Sequence, residues 1–421
     1  MSDLKIIKLN SKSNIYMKKT KKFKSIEISV VYKTNYDYKS MSAFNILAKY
    51  LGNCSIKYQS IEQLNKYVDN LYGTSLGIKF DCTGSLSTFS VFANYINPKF
   101  VKDDTLNEKV IELLYDTVYN PLINDKVFDE TIFEICKESC LVDAESLNEY
   151  NLRYVVRKLK EIISENDKSS HACSIHGNID VLNSLTYKNI YRYYKKLLNA
   201  PFDIYITGDF KYKDIISLLK KYYKNIKTKK IQYNVFNQIK DKTYKPLIIK
   251  KDVKQSKVAI AYRIPILFNN PAHYAFRVAR LVLCGTLSSK FYKVIREQLG
   301  LCYSINSYYS SYYGAFIITT GVDSQNIDKV ITHVDNQIKQ LQNGNITDEE
   351  FIQAKEAILN DMYSIDDSIF GVLDMIKTYQ SFSAEFDYKK ELEKYESVTK
   401  QDVINASKLL SYVTYVTLDK E

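Results

Sequence analysis

The distribution of hydrophobic residues in the first half of the chain predicts a run of four secondary-structure elements. Residues 74–80 and 88–96 have the pattern typical of β-strands. Apolar residues at helical spacing over residues 110–118 then predict an amphipathic helix. Acidic residues from Asp129 onward indicate the first turn of a second helix. The predicted order is therefore strand, strand, helix, helix.

The same order of elements recurs about 220 residues further along the chain. Residues 302–308 and 315–322 are predicted strands, and the apolar spacing from Val330 to Ile338 predicts the next helix. Thr347 is a suitable N-cap for the helix that follows. An internal repeat of this length indicates that one fold is encoded twice.

Each half of the chain also begins and ends with a predicted strand. Residues 25–32 and 257–264 open the two halves, and residues 202–207 and 412–418 close them. Each half therefore mixes strands that are adjacent in sequence with helices that follow them. We predict an α+β fold of two homologous domains, each a mostly antiparallel sheet with helices packed on one face.

A polar, lysine-rich stretch separates the two predicted domains. It covers residues 226–245, so the N-terminal domain takes in residues 1–225 and the C-terminal domain residues 246–421. Each domain is long enough to enclose a core of its own.

Net charge and cysteine content narrow the class of protein. The 421 residues carry 59 Lys and Arg against 48 Asp and Glu, and the net charge of +11 is not accompanied by a nucleic-acid-binding motif. No apolar stretch approaches the roughly 18 residues of a membrane span, and the N-terminus lacks the apolar region of a secretion signal. Seven widely spaced cysteines are typical of reduced thiols. We expect a cytoplasmic protein with no nucleic-acid partner and no membrane contact.

One stretch of the second half carries a specific resemblance. It reads SSKF at 288–291, VIRE at 294–297 and GLCYS at 300–304. This stretch resembles, without a gap, the second-domain motif of the pitrilysin/insulinase zinc peptidases in their short, mitochondrial-processing-peptidase-like form. Weaker matches are Asn-Pro-Leu at 120–122 and the predicted helix 63–71 that leads into Tyr-Gly. The resemblance covers nearly the whole chain.

The zinc-binding motif of that family is missing from this sequence. Active members carry H-x-x-E-H on a helix, where both histidines bind zinc and the glutamate acts as base on the bound water. Alignment on Gly52 puts Ala43, Ile46 and Leu47 at the His, Glu and His positions, and the third ligand falls near Asp143. We therefore expect a degenerate site at these four positions and no metal bound by this chain.

The resemblance implies a role without catalysis. In the family, a zinc-lacking half encloses the substrate together with a catalytic half, to which it contributes an arginine and a tyrosine seven residues apart. The matching pair here is Arg296 and Tyr303. We expect a non-catalytic subunit of a heterodimeric peptidase that processes or degrades peptides, with zinc in the H-x-x-E-H-bearing partner. We then expect no catalytic residue on this chain alone, and we expect the chain to be inactive by itself.

Other interpretations stay open at this level. Arg296 near a helix C-terminus can simply complement the helix dipole, and Tyr303 is one of 37 tyrosines. The strand at 74–80 matches the one that pairs with substrate in active members, which allows a peptide-binding scaffold without a peptidase partner.

A third interpretation is an independent enzyme with an unrecognised metal site. Its soft ligands would come from a group of thiols and imidazoles in the first half, Cys136, Cys140, His171, Cys173 and His176.

Overall fold

The computed structural model describes residues 4–420, apart from the side chains of residues 147 and 148. The strands are β1 (Leu4–Lys8), β2 (Asn14–Lys19), β3 (Ser25–Asn35), β4 (Ser75–Thr83), β5 (Leu86–Ile96), β6 (Ile123–Asn124), β7 (Val127–Phe128), β8 (Phe202–Gly208), β9 (Leu247–Lys250), β10 (Ser256–Arg263), β11 (Cys302–Ser310), β12 (Ala315–Val322) and β13 (Ser411–Asp419).

Helices make up most of the remaining chain. They are α1 (Tyr38–Leu51), α2 (Ile61–Asn70), α3 (Pro98–Val101), α4 (Leu106–Tyr119), α5 (Glu130–Glu149), α6 (Asn151–Ser164), α7 (Ile179–Ser184), α8 (Tyr191–Leu198), α9 (Tyr212–Tyr223), α10 (His273–Leu283), a π-helix (Phe291–Gln298), a short 3₁₀ turn (Ser324–Asn326), α11 (Ile327–Gln342), α12 (Asp348–Asp366), α13 (Gly371–Ser381), α14 (Tyr388–Ser397) and α15 (Lys400–Ser407). Between residues 4 and 420, none of these helices has both the length and the apolar character needed to cross a bilayer.

The chain divides into two compact units that are not contiguous in sequence. Unit 1 contains residues 1–145, 174–234 and 365–384, and unit 2 contains the remainder. The predicted division at 226–245 lies close to one of the crossings between the units. The structure differs from that division in two segments, because 146–173 belongs to unit 2 and 365–384 to unit 1.

Unit 1 is built on a six-stranded sheet with the order β1-β2-β8-β3-β5-β4. All its pairings are antiparallel except that of β2 with β8. On one face of β3, alternate residues from Ile26 to Tyr32 enter a core that also takes in the buried face of α1. Since the order places β4 at an edge, one side of its backbone has no neighbouring strand in this sheet.

Unit 2 repeats this design with a five-stranded sheet in the order β11-β12-β10-β13-β9. Its pairings are antiparallel apart from that of β13 with β9. The predicted fold class, with two antiparallel-rich α+β domains, is confirmed. Thr347 also caps α12, since its Oγ1 accepts a hydrogen bond from the Glu350 N–H at 3.1 Å, and Glu350 Oε2 accepts one from the Thr347 N–H at 3.0 Å.

Each sheet is covered on its second face by a helix from the other half of the sequence. In unit 2 this helix is α6, whose Val155, Leu159 and Ile163 are fully buried against Ala259 and Ala261 of β10. In unit 1 it is α13, which belongs to the 365–384 segment and packs beside β8. The predicted pattern, with helices on one face, is thus extended by one exchanged helix on the opposite face of each sheet.

We predict that Leu159→Ala lowers the free energy of unfolding by about 2–5 kcal/mol, because it removes a fully buried side chain from the α6 contact. Urea denaturation followed by circular dichroism measures this change. Arg153→Ala on the exposed side of the same helix is the control and should alter stability by less than about 0.5 kcal/mol. Equal effects of the two substitutions would contradict the role given to α6.

Candidate functional site

Helix α1 presents its apolar face to the core of unit 1. The helix begins after Asp37, whose carboxylate accepts a hydrogen bond from the Ser40 N–H at 3.2 Å. Ala43, Ile46 and Leu47 are all fully buried in the hydrophobic cluster of this unit. The positions that the glycine alignment assigned to the zinc motif therefore face the core and not a cavity.

A different set of α1 residues lines a cavity of about 290 Å³ in unit 1. These residues are Asn45, Ala48 and Lys49, and they share the cavity with Gly77 of β4 and Asp143 of α5. These three residues have the spacing of the His, Glu and His residues in H-x-x-E-H. Each lies two positions after the residue that the alignment on Gly52 assigned to the motif. The open face of α1 is therefore offset from the predicted one.

Lys49 and Asp143 form an ion pair inside this cavity. The Lys49 ammonium lies 2.7 Å from Asp143 Oδ2 and donates a hydrogen bond to Ser139 Oγ at 2.6 Å. Asn45 is also occupied, since its Nδ2 donates to the Ile175 carbonyl at 2.7 Å. Asn45, Lys49 and Asp143 thus each have a polar partner within the protein.

These residues do not fit a zinc ion. Zinc in proteins takes three or four ligands from His, Cys and carboxylate side chains, whereas the cavity offers Asp143 and His176 beside a lysine ammonium. The ammonium already supplies the positive charge that faces Asp143, and it would repel a dication. Throughout residues 4–420, no three or more His, Cys, Asp and Glu side chains converge in a way that suits a metal.

The thiols and imidazoles considered for a soft metal site lie in different surroundings. Cys136 and Cys140 are buried in unit 1, where burial raises the pKa of the first thiol to about 11 and of the second to about 12. In unit 2, His171 packs against the Tyr313 ring at 3.8 Å, and burial lowers the pKa of His171 to about 3. Cys173, which is half-buried, also belongs to unit 2, and His176 lines the unit 1 cavity.

Arg296 and Tyr303 come together on the surface of unit 2. The Arg296 guanidinium lies over the Tyr292 ring at 4.5 Å and over the Tyr303 ring at 5.5 Å. Tyr303 is 82% exposed, which is unusual for an aromatic side chain on a strand. The pairing of β11 with β12 shifts register between Cys302 and Ile305, so Tyr303 lies in a bulge of the kind that redirects side chains near functional sites.

The helix that carries Arg296 is held in place by buried contacts. It is a π-helix, a form often found at functional sites. Just before it, Lys290 forms a buried ion pair with Glu350 at 3.0 Å. Just after it, Gly300 adopts φ +59°, which favours glycine and allows the sharp turn into β11. The positions of Arg296 and Tyr303 are therefore both set by the surrounding structure.

Asn45, Ala48 and Lys49 were missed by the sequence analysis, although a signal was present. In the apolar stretch 43–51, Asn45 and Lys49 are the two strongly polar residues, and they stand four positions apart on one helical face. That spacing identifies the face of α1 that avoids the core. The alignment on Gly52 selected Ala43, Ile46 and Leu47 instead.

We predict that the combined variant Asn45→His, Ala48→Glu, Lys49→His and Asp143→Glu gains one zinc ion per chain. The change places two imidazoles and a carboxylate on the cavity and removes the competing ammonium. Isothermal titration and elemental analysis measure the gain, with the unaltered protein as reference.

The matched control puts the same motif at the glycine-aligned positions, as Ala43→His, Ile46→Glu and Leu47→His. This variant should fail to fold, because it buries charge in the core. Zinc binding by the control, or a folded cavity variant that binds none, would show that the cavity-facing register is wrong.

The comparisons with known proteins agree with the motif at 288–304. The family model described as the peptidase M16 inactive domain matches residues 184–358. The probable inactive metalloprotease YmfF of Bacillus subtilis strain 168 is 25% identical over 355 residues, which cover 83% of this chain and 82% of that protein.

Solved structures share the fold over the whole chain. A conserved protein from Enterococcus faecalis V583 matches with a TM-score of 0.92 and 20% identity, covering 100% of this chain and 99% of that one. The periplasmic protease PqqL of Escherichia coli matches with a TM-score of 0.72 and 14% identity, covering 97% of this chain and 44% of PqqL. The predicted resemblance to the pitrilysin/insulinase-type zinc peptidases is confirmed: residues 184–358 match the peptidase M16 inactive domain, and most of the chain is similar to a probable inactive metalloprotease.

Proposed function

We propose that this protein is the non-catalytic subunit of a heterodimeric zinc peptidase and that it supplies Arg296 and Tyr303 to peptide bound at the partner's active site. The observation that carries the proposal is the contact between these two side chains, with Tyr303 largely exposed. An exposed aromatic ring and a guanidinium held side by side form a surface suited to a partner or a substrate.

The two side chains have complementary roles in this proposal. Arg296 binds a carbonyl or carboxylate of the peptide through charge-assisted hydrogen bonds. The Tyr303 hydroxyl donates a hydrogen bond to the oxyanion that develops as the peptide bond is attacked. The attacking water and the zinc that activates it belong to the partner, which carries H-x-x-E-H.

The cavity beside α1 supports the assignment of catalysis to another chain. Lys49 and Asp143 pair with each other there, and the residues that line the cavity do not fit a zinc ion. This chain's fold also matches less than half of the E. coli protease PqqL, a proportion expected if a second chain of similar size completes the enzyme. The partner is therefore proposed to be a catalytic M16 chain.

Two further features are consistent with the proposal. The edge strand β4 borders the α1 cavity and can pair with an extended peptide along its free side. The buried thiols of Cys54, Cys136, Cys140 and Cys284 suit a reducing compartment, and we propose that the complex is cytoplasmic.

We predict that Tyr303→Phe reduces the kcat of the heterodimer about 100-fold, because one donor to the oxyanion is lost. The partner is first isolated by co-purification and identified by mass spectrometry as an H-x-x-E-H chain present in equal amount. Turnover of a fluorogenic peptide is then measured with the reconstituted complex.

Tyr308→Phe is the matched control, since Tyr308 is also exposed on β11 and should leave kcat unchanged. Both variants should form the complex as well as the unaltered chain does. Unchanged turnover with Tyr303→Phe, or a chain that co-purifies with no peptidase, would refute the proposed function.

A further inference from the structure

The contact between α13 and the sheet of unit 1 contains a cavity of about 450 Å³. Its floor is the face of β3 and β5 that points away from the core, and its roof is one side of α13. Polar side chains line the cavity from both the sheet and the helix. They are Glu27, Ser29 and Ser90 on the sheet and Asp374, Lys377 and Thr378 on the helix. A volume of this size is within the range of small-molecule sites.

The fold does not require this contact to be polar or hollow. In unit 2 the corresponding exchanged helix is α6, which follows α5 in sequence as α13 follows α12. There the same kind of contact is apolar, with Val155, Leu159 and Ile163 packed against Ala259 and Ala261. The two repeats thus differ at this position, and in unit 1 polar groups surround a cavity.

Glu27 is the most unusual of these groups. The residue is 2% exposed, and its Oε2 accepts no hydrogen bond from the part of the chain that the structure describes. The Ser29 Oγ beside it is likewise buried without a partner. A buried carboxylate without a hydrogen-bond donor is destabilising unless a donor or a counter-charge enters from elsewhere.

Two of the lysines that line the cavity, Lys33 and Lys377, are paired with other acids. Lys377 lies 3.2 Å from Asp374 on its own helix, and Lys33 lies 2.6 Å from Asp203. Neither forms an ion pair with Glu27 within the described residues. Glu27 therefore lacks a positively charged hydrogen-bond donor. A ligand that supplies one must be small enough to enter the cavity.

We propose that the cavity beneath α13 binds a small organic molecule bearing a primary ammonium group, which Glu27 recognises. The ammonium supplies both the counter-charge and the donor that the carboxylate lacks. The hydroxyls of Ser29, Ser90 and Thr378 can bind polar atoms of the ligand, while Phe92 and Phe370 pack against its carbon atoms. An aliphatic diamine and the α-amino end of a short peptide share this chemistry.

Isothermal titration of the full chain at pH 7.5 with putrescine, and separately with glycylglycine, tests the site. We expect saturable binding of one of the two, and the one that binds identifies the source of the amine. Glu27→Gln should weaken binding at least 10-fold and should fold, since an amide has the shape and neutrality of the protonated carboxyl that burial favours. N-acetylglycylglycine, which has no amine, should not bind.

Two further variants test whether the amine binds in the cavity or elsewhere on the protein. Ser90→Leu fills the cavity without changing its charge and should abolish binding. Glu62→Gln, on the exposed surface of α2, should leave binding unchanged. Absence of saturable binding by both amines, or equal affinity of the protein and its Glu27→Gln variant, would overturn the proposal.

The pH dependence of Tm gives a second readout. Burial raises the pKa of Glu27 from 4.5 to about 8, with Lys377 opposing the rise and Asp374 adding to it. A raised carboxyl pKa means that the folded state is favoured at low pH and loses stability as pH rises from about 4.5 through 8. The other charged or titratable groups that line the cavity are Lys33, Lys79, Asp81 and Tyr205.

The Tm of the protein should therefore fall relative to that of Glu27→Gln between pH 5 and pH 9. A saturating amine should reduce this difference, because it stabilises the ionised carboxylate. A pH profile of Tm that the ligand leaves unchanged would count against Glu27 as the group that binds it.

Discussion

The fold depends on an exchange of one helix between the two halves of the sequence. Each sheet must bury a second face, and in each unit a helix encoded in the other repeat does so, α6 in unit 2 and α13 in unit 1. Because exposed apolar sheet residues are costly, the α6 contact is an apolar core. The α13 contact encloses a cavity lined by polar side chains, so the same architectural solution produces two different contacts in the two repeats.

Helix α1 has two faces with different surroundings, a hydrophobic core on one side and a cavity on the other. The cation beside Asp143 is the Lys49 ammonium, 2.7 Å away. One lysine on the cavity-facing side of α1 gives the acid its counter-charge, and the apolar side of the helix continues to fill the core. Core packing constrains the apolar face of this helix, whereas the face that borders the cavity carries Asn45 and Lys49.

The second unit keeps the features that a substrate-contacting surface needs. A buried Lys290–Glu350 pair fixes the start of the π-helix, and a bulge at the edge strand β11 turns Tyr303 outward to meet Arg296. These contacts hold the exposed Tyr303 and the half-buried Arg296 in a defined geometry, which lowers the entropy cost of binding. The proposed role of Arg296 and Tyr303 rests on this local geometry.

The sequence by itself determined the local elements, the internal repeat and the seven-residue spacing of Arg296 and Tyr303, because periodicity, capping at Thr347 and turn glycines act over short distances. It could not determine which face of α1 borders the cavity, since Ala43 and Asn45 are equally compatible with a helix. The exchange of α6 and α13 and the burial of Glu27 also stayed hidden. These depend on contacts between residues far apart in the sequence, and only the tertiary structure decides which surfaces meet.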